Sequence, residues 1–199
     1  MANVERTMEN LQKRGYQVSR FPNRAAAAQY LLDEIGDQAV GMGGSTTSQE
    51  LEIYPRLKER GEVFWHAMSD EPDVRVRANA APVYIMSANG VSETGQIINI
   101  DANGNRVANM SFGHERVYIV IGINKIAPTD EMALRRARNI AAPKNVRRIG
   151  LALPCAEGEI VCHDCNAPNR LCRSFVTLER KPFGISHFEI VIVDEALGY

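Results

Sequence analysis

Short runs of β-branched and aromatic residues recur along the chain, separated by stretches whose apolar residues have helical spacing. The strand-like runs are YQVSRF (16–21), QAVGM (38–42), EVFWHA (62–67), PVYIMSA (82–88), VYIVIGI (117–123), RIGLAL (148–153) and HFEIVIVD (187–194). The intervening helical stretches are 2–14, 23–36, 45–60 and 128–142. Apolar strands that alternate with helices are typical of a largely parallel sheet with helices on its faces. The pattern therefore predicts an α/β fold.

Local signals support several of these helices. Asn23 is a suitable N-cap for the second helix, and Gly36 ends it. Ser45 or Thr46 can cap a third helix that runs to about Arg60. The helix over 128–142 has acidic residues in its first turn and basic residues later, which suits the helix dipole. We interpret the basic run 135–148 as a solvated helix face, with an acidic partner surface as the alternative.

Composition narrows the class of protein. The 199 residues are 45% apolar and 24% charged, which fits one globular domain over residues 1–199. A net charge of -1 argues against broad nucleic-acid binding, because affinity for the phosphate backbone needs a basic surface. No apolar run approaches the roughly 18 residues that a membrane span requires. The first 30 residues contain no secretory signal, so we expect a cytoplasmic protein with reduced thiols.

All four cysteines fall in one segment near the C-terminus, the cysteine loop (154–173). Cys155, Cys162, Cys165 and Cys172 follow the spacing C-x6-C-x2-C-x6-C. A C-x-x-C pair presents two sulfurs to one ion, so the loop predicts a four-thiolate metal site. The spacing differs by one residue from a loop that binds a four-iron cluster in some DNA glycosylases, which favours a [4Fe-4S] cluster over tetrahedral zinc. Four separate thiols are the third interpretation.

A glycine-containing junction joins a predicted strand to a predicted helix at GMGGSTTSQEL (41–51). Glycines let the backbone approach a ligand closely, and phosphate or carboxylate suits such a loop. The predicted anion-binding residues are Gly43, Gly44, Ser45, Thr46 and Thr47. The alternative is a turn that needs glycine only for close packing. The loop matches neither a Walker A nor a G-x-G-x-x-G motif, so it indicates no particular nucleotide.

Two further residues are candidates for catalysis. Glu93 lies in a loop between Gly90 and Gly95 and could transfer protons into a cleft, or could be an exposed loop glutamate. The segment after it predicts a hairpin, with Asn103-Gly104 as the turn between IINID and RVANM. Lys125 follows the most apolar strand, at the end where α/β sheets bind ligands, and could neutralise an anion or be a solvated loop residue.

In combination, five segments resemble the lactate utilisation (LUD) family, formerly a domain of unknown function. These segments are GMGGSTTS (41–48), SANGVSETGQIINIDANGNRVA (87–108), VIGINKI (120–126), the cysteine loop and IVIVDEALGY (190–199). The resemblance implies a Rossmann-like α/β domain similar to ribose-5-phosphate isomerase, glucosamine-6-phosphate deaminase and coenzyme A transferases. In those relatives, phosphate-bearing substrates lie against the loop that corresponds to 43–47, and acidic residues act near the position of Glu93.

The chain departs from the sugar-phosphate isomerases among these relatives. They carry an acidic pair and a lysine in a pattern absent here, because Glu93 stands alone and Asp101 and Asn105 lie further along the chain. Members of the LUD family are associated with oxidation of L-lactate to pyruvate, together with separate iron–sulfur partner proteins. The resemblance therefore favours a redox or accessory component acting on lactate or a related small carboxylate. The alternatives are a non-catalytic metabolite-binding or assembly protein with structural zinc and, less favoured, an isomerase-like enzyme.

Overall fold

The computed structural model describes residues 2–199. Its helices are α1 Val4–Lys13, α2 Arg24–Ile35, α3 Thr46–Glu50, α4 Tyr54–Lys58, α5 Val74–Ala80, α6 Asn105–Asn109, α7 Asp130–Arg136 and α8 Ala142–Arg148. Its strands are β1 Gln17–Phe21, β2 Val40–Met42, β3 Val63–Trp65, β4 Val83–Met86, β5 Gly90–Ser92, β6 Ile97–Asp101, β7 Arg116–Gly122, β8 Ile126–Ala127, β9 Ser174–Leu178 and β10 His187–Val193.

Six strands form a parallel sheet in the order β1-β10-β7-β4-β2-β3. The two longest, β7 and β10, lie side by side near its centre, and all but the first residue of each is buried. Apolar side chains can cover both faces of such strands, which explains their nearly continuous apolar runs. The predicted α/β fold with a largely parallel sheet is confirmed.

The two faces of this sheet pack against different layers, because successive side chains of a strand point in opposite directions. On one face, Val83 and Val120 pack with the buried residues of α2 and with Leu57 of α4. On the other face, Tyr84 and Ile119 join a cluster that includes residues of α1, α5 and a second sheet. The result is a three-layer Rossmann-like arrangement, in which the two sheets share one hydrophobic cluster.

The second sheet was not predicted. Its order is β8-β5-β6-β9, with β6 antiparallel to both β5 and β9. The predicted hairpin is wrong, because IINID pairs with β9 and the following residues form α6 instead of a strand. Gly104 has a positive φ of 85°, and the Asp101 carboxylate accepts hydrogen bonds from the backbone N–H groups of Arg106 and Val107. These contacts start a helix where the Asn-Gly pair suggested a hairpin turn.

Two other expectations differ from the structure. The predicted strand over 148–153 is absent, because Arg148 is the last residue of α8, and Gly150, with φ of 73°, follows in a turn. The predicted helix over 45–60 is interrupted at Glu52, which has φ of 51°, so that α3 and α4 are separate. Between them, Ile53 is fully buried. Burial of this side chain against the sheet thus overrides the helical periodicity.

The helical segment Asp130 to Arg148 supports the cysteine loop. A π-helical stretch, Ala137–Ala141, joins α7 to α8, directly before Pro143, which has no N–H to continue an ordinary α-helical ladder. Within this stretch, the Asn139 side chain accepts a hydrogen bond from the backbone N–H of Cys162 at 3.2 Å. Among residues 2–199, no helix is both long and apolar enough to cross a membrane.

Candidate anion-binding cleft

A cleft of about 290 Å³ opens at the carboxyl ends of four neighbouring strands. Gly44 to Thr47 follow β2, His66 follows β3, Ser87 follows β4, and Lys125 follows β7. Because the strands are parallel, these segments meet at one edge of the sheet, where open α/β sheets bind ligands. The opposite wall comes from the end of β6, from α6 and α8, and from Leu171 and Cys172 of the cysteine loop.

Lys125 lies at this edge and is almost fully buried, with 4% of its surface exposed. Its Nζ donates hydrogen bonds to Thr47 Oγ1 and Ser87 Oγ, both at 2.8 Å. Burial, reinforced by the positive charges of Arg136 and Arg106, lowers the pKa of Lys125 to about 7. The amine is therefore partly neutral near pH 7. The structure joins Lys125 to the Gly/Ser/Thr loop, as the sequence predicted for a shared anion site.

The glycines of the loop have separate structural reasons. A Cβ on Gly41 would lie 2.3 Å from the carbonyl oxygen of Ala78, so this glycine allows close packing of β2 on α5. A Cβ on Gly43 would lie 3.0 Å from Arg106 Cγ, and one on Gly44 would lie 3.0 Å from His66 Nε2. At the last two positions, the missing side chains admit an arginine and a histidine to the loop. Both interpretations of the glycine-containing junction therefore apply, at different residues.

Arg106 is a cleft residue that the sequence pattern did not reveal. Its guanidinium donates to the carbonyl of Ile100 at 2.6 Å and lies 3.8 Å from an Asp101 oxygen. The two Asp101 oxygens also accept backbone N–H groups of Ala102 and Arg106, at 2.9 and 2.8 Å. The carboxylate is thus engaged in holding the turn before α6. The prediction of a hairpin concealed Arg106, because it assigned this residue to a strand.

Positive side chains outnumber negative ones around the cleft. Arg75, Arg106, Lys125 and Arg148 line it, whereas Asp101 is the one acidic side chain among the described lining residues. Arg148 belongs to the basic run that we interpreted as solvated, and one turn of helix brings it to the cleft. Attraction between charges of opposite sign favours an anionic ligand here.

His66 adds a neutral polar group to the same wall. Burial, together with the positive charges of Arg75 and Arg106, lowers the pKa of His66. At neutral pH this imidazole therefore offers one donor and one acceptor and no additional charge. Asn105 also lines the cleft, so that both polar residues noted after Glu93 reach the site.

Glu93 lies outside the cleft, although it is buried, with 8% of its surface exposed. Its Oε1 accepts the backbone N–H of Asn3 at 2.8 Å, and its Oε2 lies 3.7 Å from the exposed guanidinium of Arg6. The Glu93 carbonyl also accepts a hydrogen bond from the Asn10 side chain at 2.7 Å. These contacts attach α1 to the loop after β5. The geometry therefore links Glu93 to the docking of α1.

The four cysteines are half-buried free thiols that line one small cavity of about 20 Å³. Burial and the neighbouring cysteines, Cys165 first, raise the pKa of the Cys155 thiol. Arg170 donates to Cys172 Sγ at 3.2 Å. Within residues 2–199, no three histidine, cysteine, aspartate or glutamate side chains are arranged to hold a metal ion. The four-thiolate metal site therefore stays a prediction.

Cys172 lines both the small cysteine cavity and the larger cleft. Leu171 and Ile100 also line both spaces. The cysteine loop thus forms part of the wall of the candidate ligand site, a proximity that the sequence did not reveal.

The molecule is an α/β protein with a cationic ligand cleft at the carboxyl edge of a parallel sheet. A model of the LUD domain family matches residues 4–193. The chain therefore belongs to the LUD family of lactate-utilisation-related proteins.

Comparison with solved structures shows the same fold in a DUF162 family protein from Deinococcus radiodurans, known from its crystal structure. The TM-score is 0.56 and the sequence identity 11%, and the alignment covers 96% of this chain and 95% of that chain. No curated protein matches the sequence.

Proposed function

We propose that this protein binds lactate or a related small carboxylate in the cleft and acts as a redox or accessory component of its metabolism. Family membership supports the metabolic context. The observation that carries the ligand class is the excess of positive side chains over the single acidic one among the described cleft residues. The volume of about 290 Å³ suits a small metabolite.

The proposed binding relies on side chains and not on the dipole of the short helix α3. Arg106 and Arg148 supply planar guanidinium groups, which pair well with carboxylates. The hydroxyls of Ser45 and Thr46, on the opposite side, can donate to a bound oxygen. A phosphate-bearing ligand would use the same groups, so the test includes inorganic phosphate.

Trp65 provides a direct reporter of ligand binding. It is the single tryptophan of the chain, and its indole N–H donates to the carbonyl of Gly43 at 3.1 Å. A ligand that orders the Gly/Ser/Thr loop should change the environment of this indole. We would titrate the protein with lactate, pyruvate and phosphate and follow tryptophan emission to saturation.

The variants Arg106→Gln and Arg148→Gln should each weaken carboxylate binding about tenfold or more, since a charged hydrogen bond contributes about 1.5–3 kcal/mol. The matched control is Arg135→Gln, which removes an exposed arginine of α7 that does not line the cleft. Equal affinities in all three variants, or no saturable signal with any of the anions, would refute the binding proposal.

The cysteine loop is proposed to hold a metal centre through Cys155, Cys162, Cys165 and Cys172. All four thiols share one cavity, and Arg138 and Arg170 add positive charge beside it, which suits the negative charge of a cluster with four thiolate ligands. A bound [4Fe-4S] cluster would supply one-electron chemistry, whereas zinc would be structural. The separate iron–sulfur proteins of lactate oxidation remain the proposed partners.

Elemental analysis of anaerobically purified protein tests the metal proposal. Iron with acid-labile sulfide, lost in a Cys162→Ser/Cys165→Ser variant, would support the redox role. Zinc would support the alternative of a binding or assembly protein with a structural metal clip. Absence of any metal from the wild-type protein would overturn the four-thiolate site and leave the cleft proposal standing.

A further inference from the structure

Lys125 has no acidic partner at hydrogen-bond distance, which is unusual for a lysine that is almost fully buried. Its two hydrogen-bond partners, Thr47 and Ser87, are neutral hydroxyls. Coulombic repulsion from Arg136 and Arg106 adds to the cost of charging it, and Glu50 opposes them more weakly. A lysine whose only role was to bind an anion as a permanent cation would not need this environment.

The hydrogen bonds around Nζ have a consistent direction. Thr47 Oγ1 lies 3.3 Å from the carbonyl oxygen of Leu197, and Ser87 Oγ lies 3.5 Å from that of Ala88. Each hydroxyl can direct its own hydrogen to a carbonyl and accept a hydrogen from Lys125. A neutral amine has two N–H groups for these two acceptors. Its lone pair then occupies the remaining tetrahedral position, free to act as a nucleophile.

We propose that the ε-amino group of Lys125 condenses with the carbonyl carbon of a small 2-oxo acid held in the cleft, forming an imine. The inference rests on the proposed function, because the carboxylate of the 2-oxo acid is the anion that the cleft arginines bind. Binding of this carboxylate by Arg106 or Arg148 would hold the adjacent carbonyl within the same small cleft as Nζ. Pyruvate is the simplest member of this class of substrate.

The reaction needs no oxidant or reductant. The Nζ lone pair forms the C–N bond while the carbonyl π electrons move to oxygen, which takes up a proton to give a carbinolamine. The C–O bond then breaks, water leaves, and Nζ loses its remaining proton as the C=N bond forms. Amine and ketone thus give imine and water. The hydroxyl of Ser87, only weakly engaged with Ala88 at 3.5 Å, is placed to protonate the oxygen.

The pKa of Lys125, lowered to about 7, supports the same conclusion. An ordinary lysine is almost entirely protonated at neutral pH and therefore has no lone pair to attack a carbonyl. About half of the Lys125 side chains would be neutral at pH 7. The charged groups around Nζ are Arg136 and Arg106, which favour the neutral form, and Glu50, which favours the protonated form.

Borohydride trapping tests the imine. The full-length protein is incubated with pyruvate, treated with sodium cyanoborohydride, digested and mapped by mass spectrometry. We expect one reduced pyruvate adduct on the peptide that contains Lys125. An excess of lactate, which has the carboxylate but no carbonyl, should suppress the adduct. Lys125→Met and Lys125→Arg should lose it, whereas Lys58→Met, which removes an exposed lysine at the end of α4, should retain it.

Mapping of the wild-type protein decides the question even if a Lys125 variant does not fold. Lys125 without adduct, while Trp65 emission still reports saturable pyruvate binding, would refute the imine and leave the cleft proposal intact. Adducts spread over exposed lysines and insensitive to lactate would refute it as well. Absence of both binding and adduct would overturn both proposals together.

Discussion

Replacement of Lys125 by methionine should change how the stability of the protein depends on pH. Methionine has a similar length and no charge, so it removes the buried ammonium and keeps most of the packing. Burial and two neighbouring arginines lower the pKa of this lysine from 10.5 to about 7 in the folded protein. One pKa unit corresponds to about 1.4 kcal/mol, so the full cost of burying the protonated lysine is about 5 kcal/mol.

The sign follows from proton linkage. Below pH 7 the lysine is protonated in both the folded and the unfolded chain, and the whole cost is present. As the pH rises from 7 towards 10.5, the unfolded chain still binds the proton and the folded chain does not, so stability increases with pH. Between pH 7 and pH 9 the wild type should gain about 2 kcal/mol relative to Lys125→Met. Loss of the hydrogen bonds to Thr47 and Ser87 shifts the variant by an amount that does not depend on pH.

Urea unfolding followed by the emission of Trp65 measures this difference. The free energy of unfolding is determined for both proteins at several values between pH 6 and pH 9, and the wild-type value minus the variant value is plotted against pH. Lys58→Met is the control, because its side chain is exposed. A difference that stays flat between pH 7 and pH 9, as in the control, would show that Lys125 is an ordinary protonated lysine and refute the reasoning behind its reactivity.

Three other perturbations have definite expected results. Glu93→Gln should leave Trp65-detected anion binding unchanged and lower the free energy of unfolding by about 1–2 kcal/mol, since it weakens the contact with the Asn3 N–H; a large loss of binding with intact stability would instead place Glu93 in the site. Gly41→Ala should destabilise the fold by about 1–3 kcal/mol, seen as a lower urea midpoint, because its Cβ would lie 2.3 Å from a backbone oxygen of α5. Glu189 is buried, which opposes its ionisation, but hydrogen bonds from its neighbours outweigh burial and lower its pKa; the wild type should therefore lose stability relative to Glu189→Gln as the pH falls below about 4.5 through the lowered value, and parallel acid titrations would contradict this.

The parallel sheet could be predicted because each strand carries its own signal. The apolar runs that became β7 and β10 are nearly continuous, and only a strand buried on both faces needs such a run. Asn23 and Ser45 cap helices as predicted, since capping depends on a few adjacent residues. The position of Lys125 after β7 could also be inferred locally, and parallel strands carried it to the Gly/Ser/Thr loop.

The second sheet could not be inferred in this way, because its pairings join distant segments. The partner of β6 is β9, beyond α7, α8 and the cysteine loop, whereas the Asn103-Gly104 signal pointed to the adjacent residues. The side chain of Asp101 resolves this competition, because its bonds to the backbone of Arg106 start α6. That helix places Arg106 in the cleft.

The sequence by itself determined the order of strands and helices, the helix caps, the LUD resemblance and the loop that follows β2. These properties depend on neighbouring residues and on hydrophobic periodicity, which the chain states directly. Only the tertiary structure decided which charged residues share a site. It directed Glu93 to α1 and Arg106 to the cleft, made Cys172 a wall of that cleft, and buried Lys125 among neutral hydroxyls and arginines. Burial and the distances between charges arise when remote segments pack together, so no local pattern in the sequence contains them.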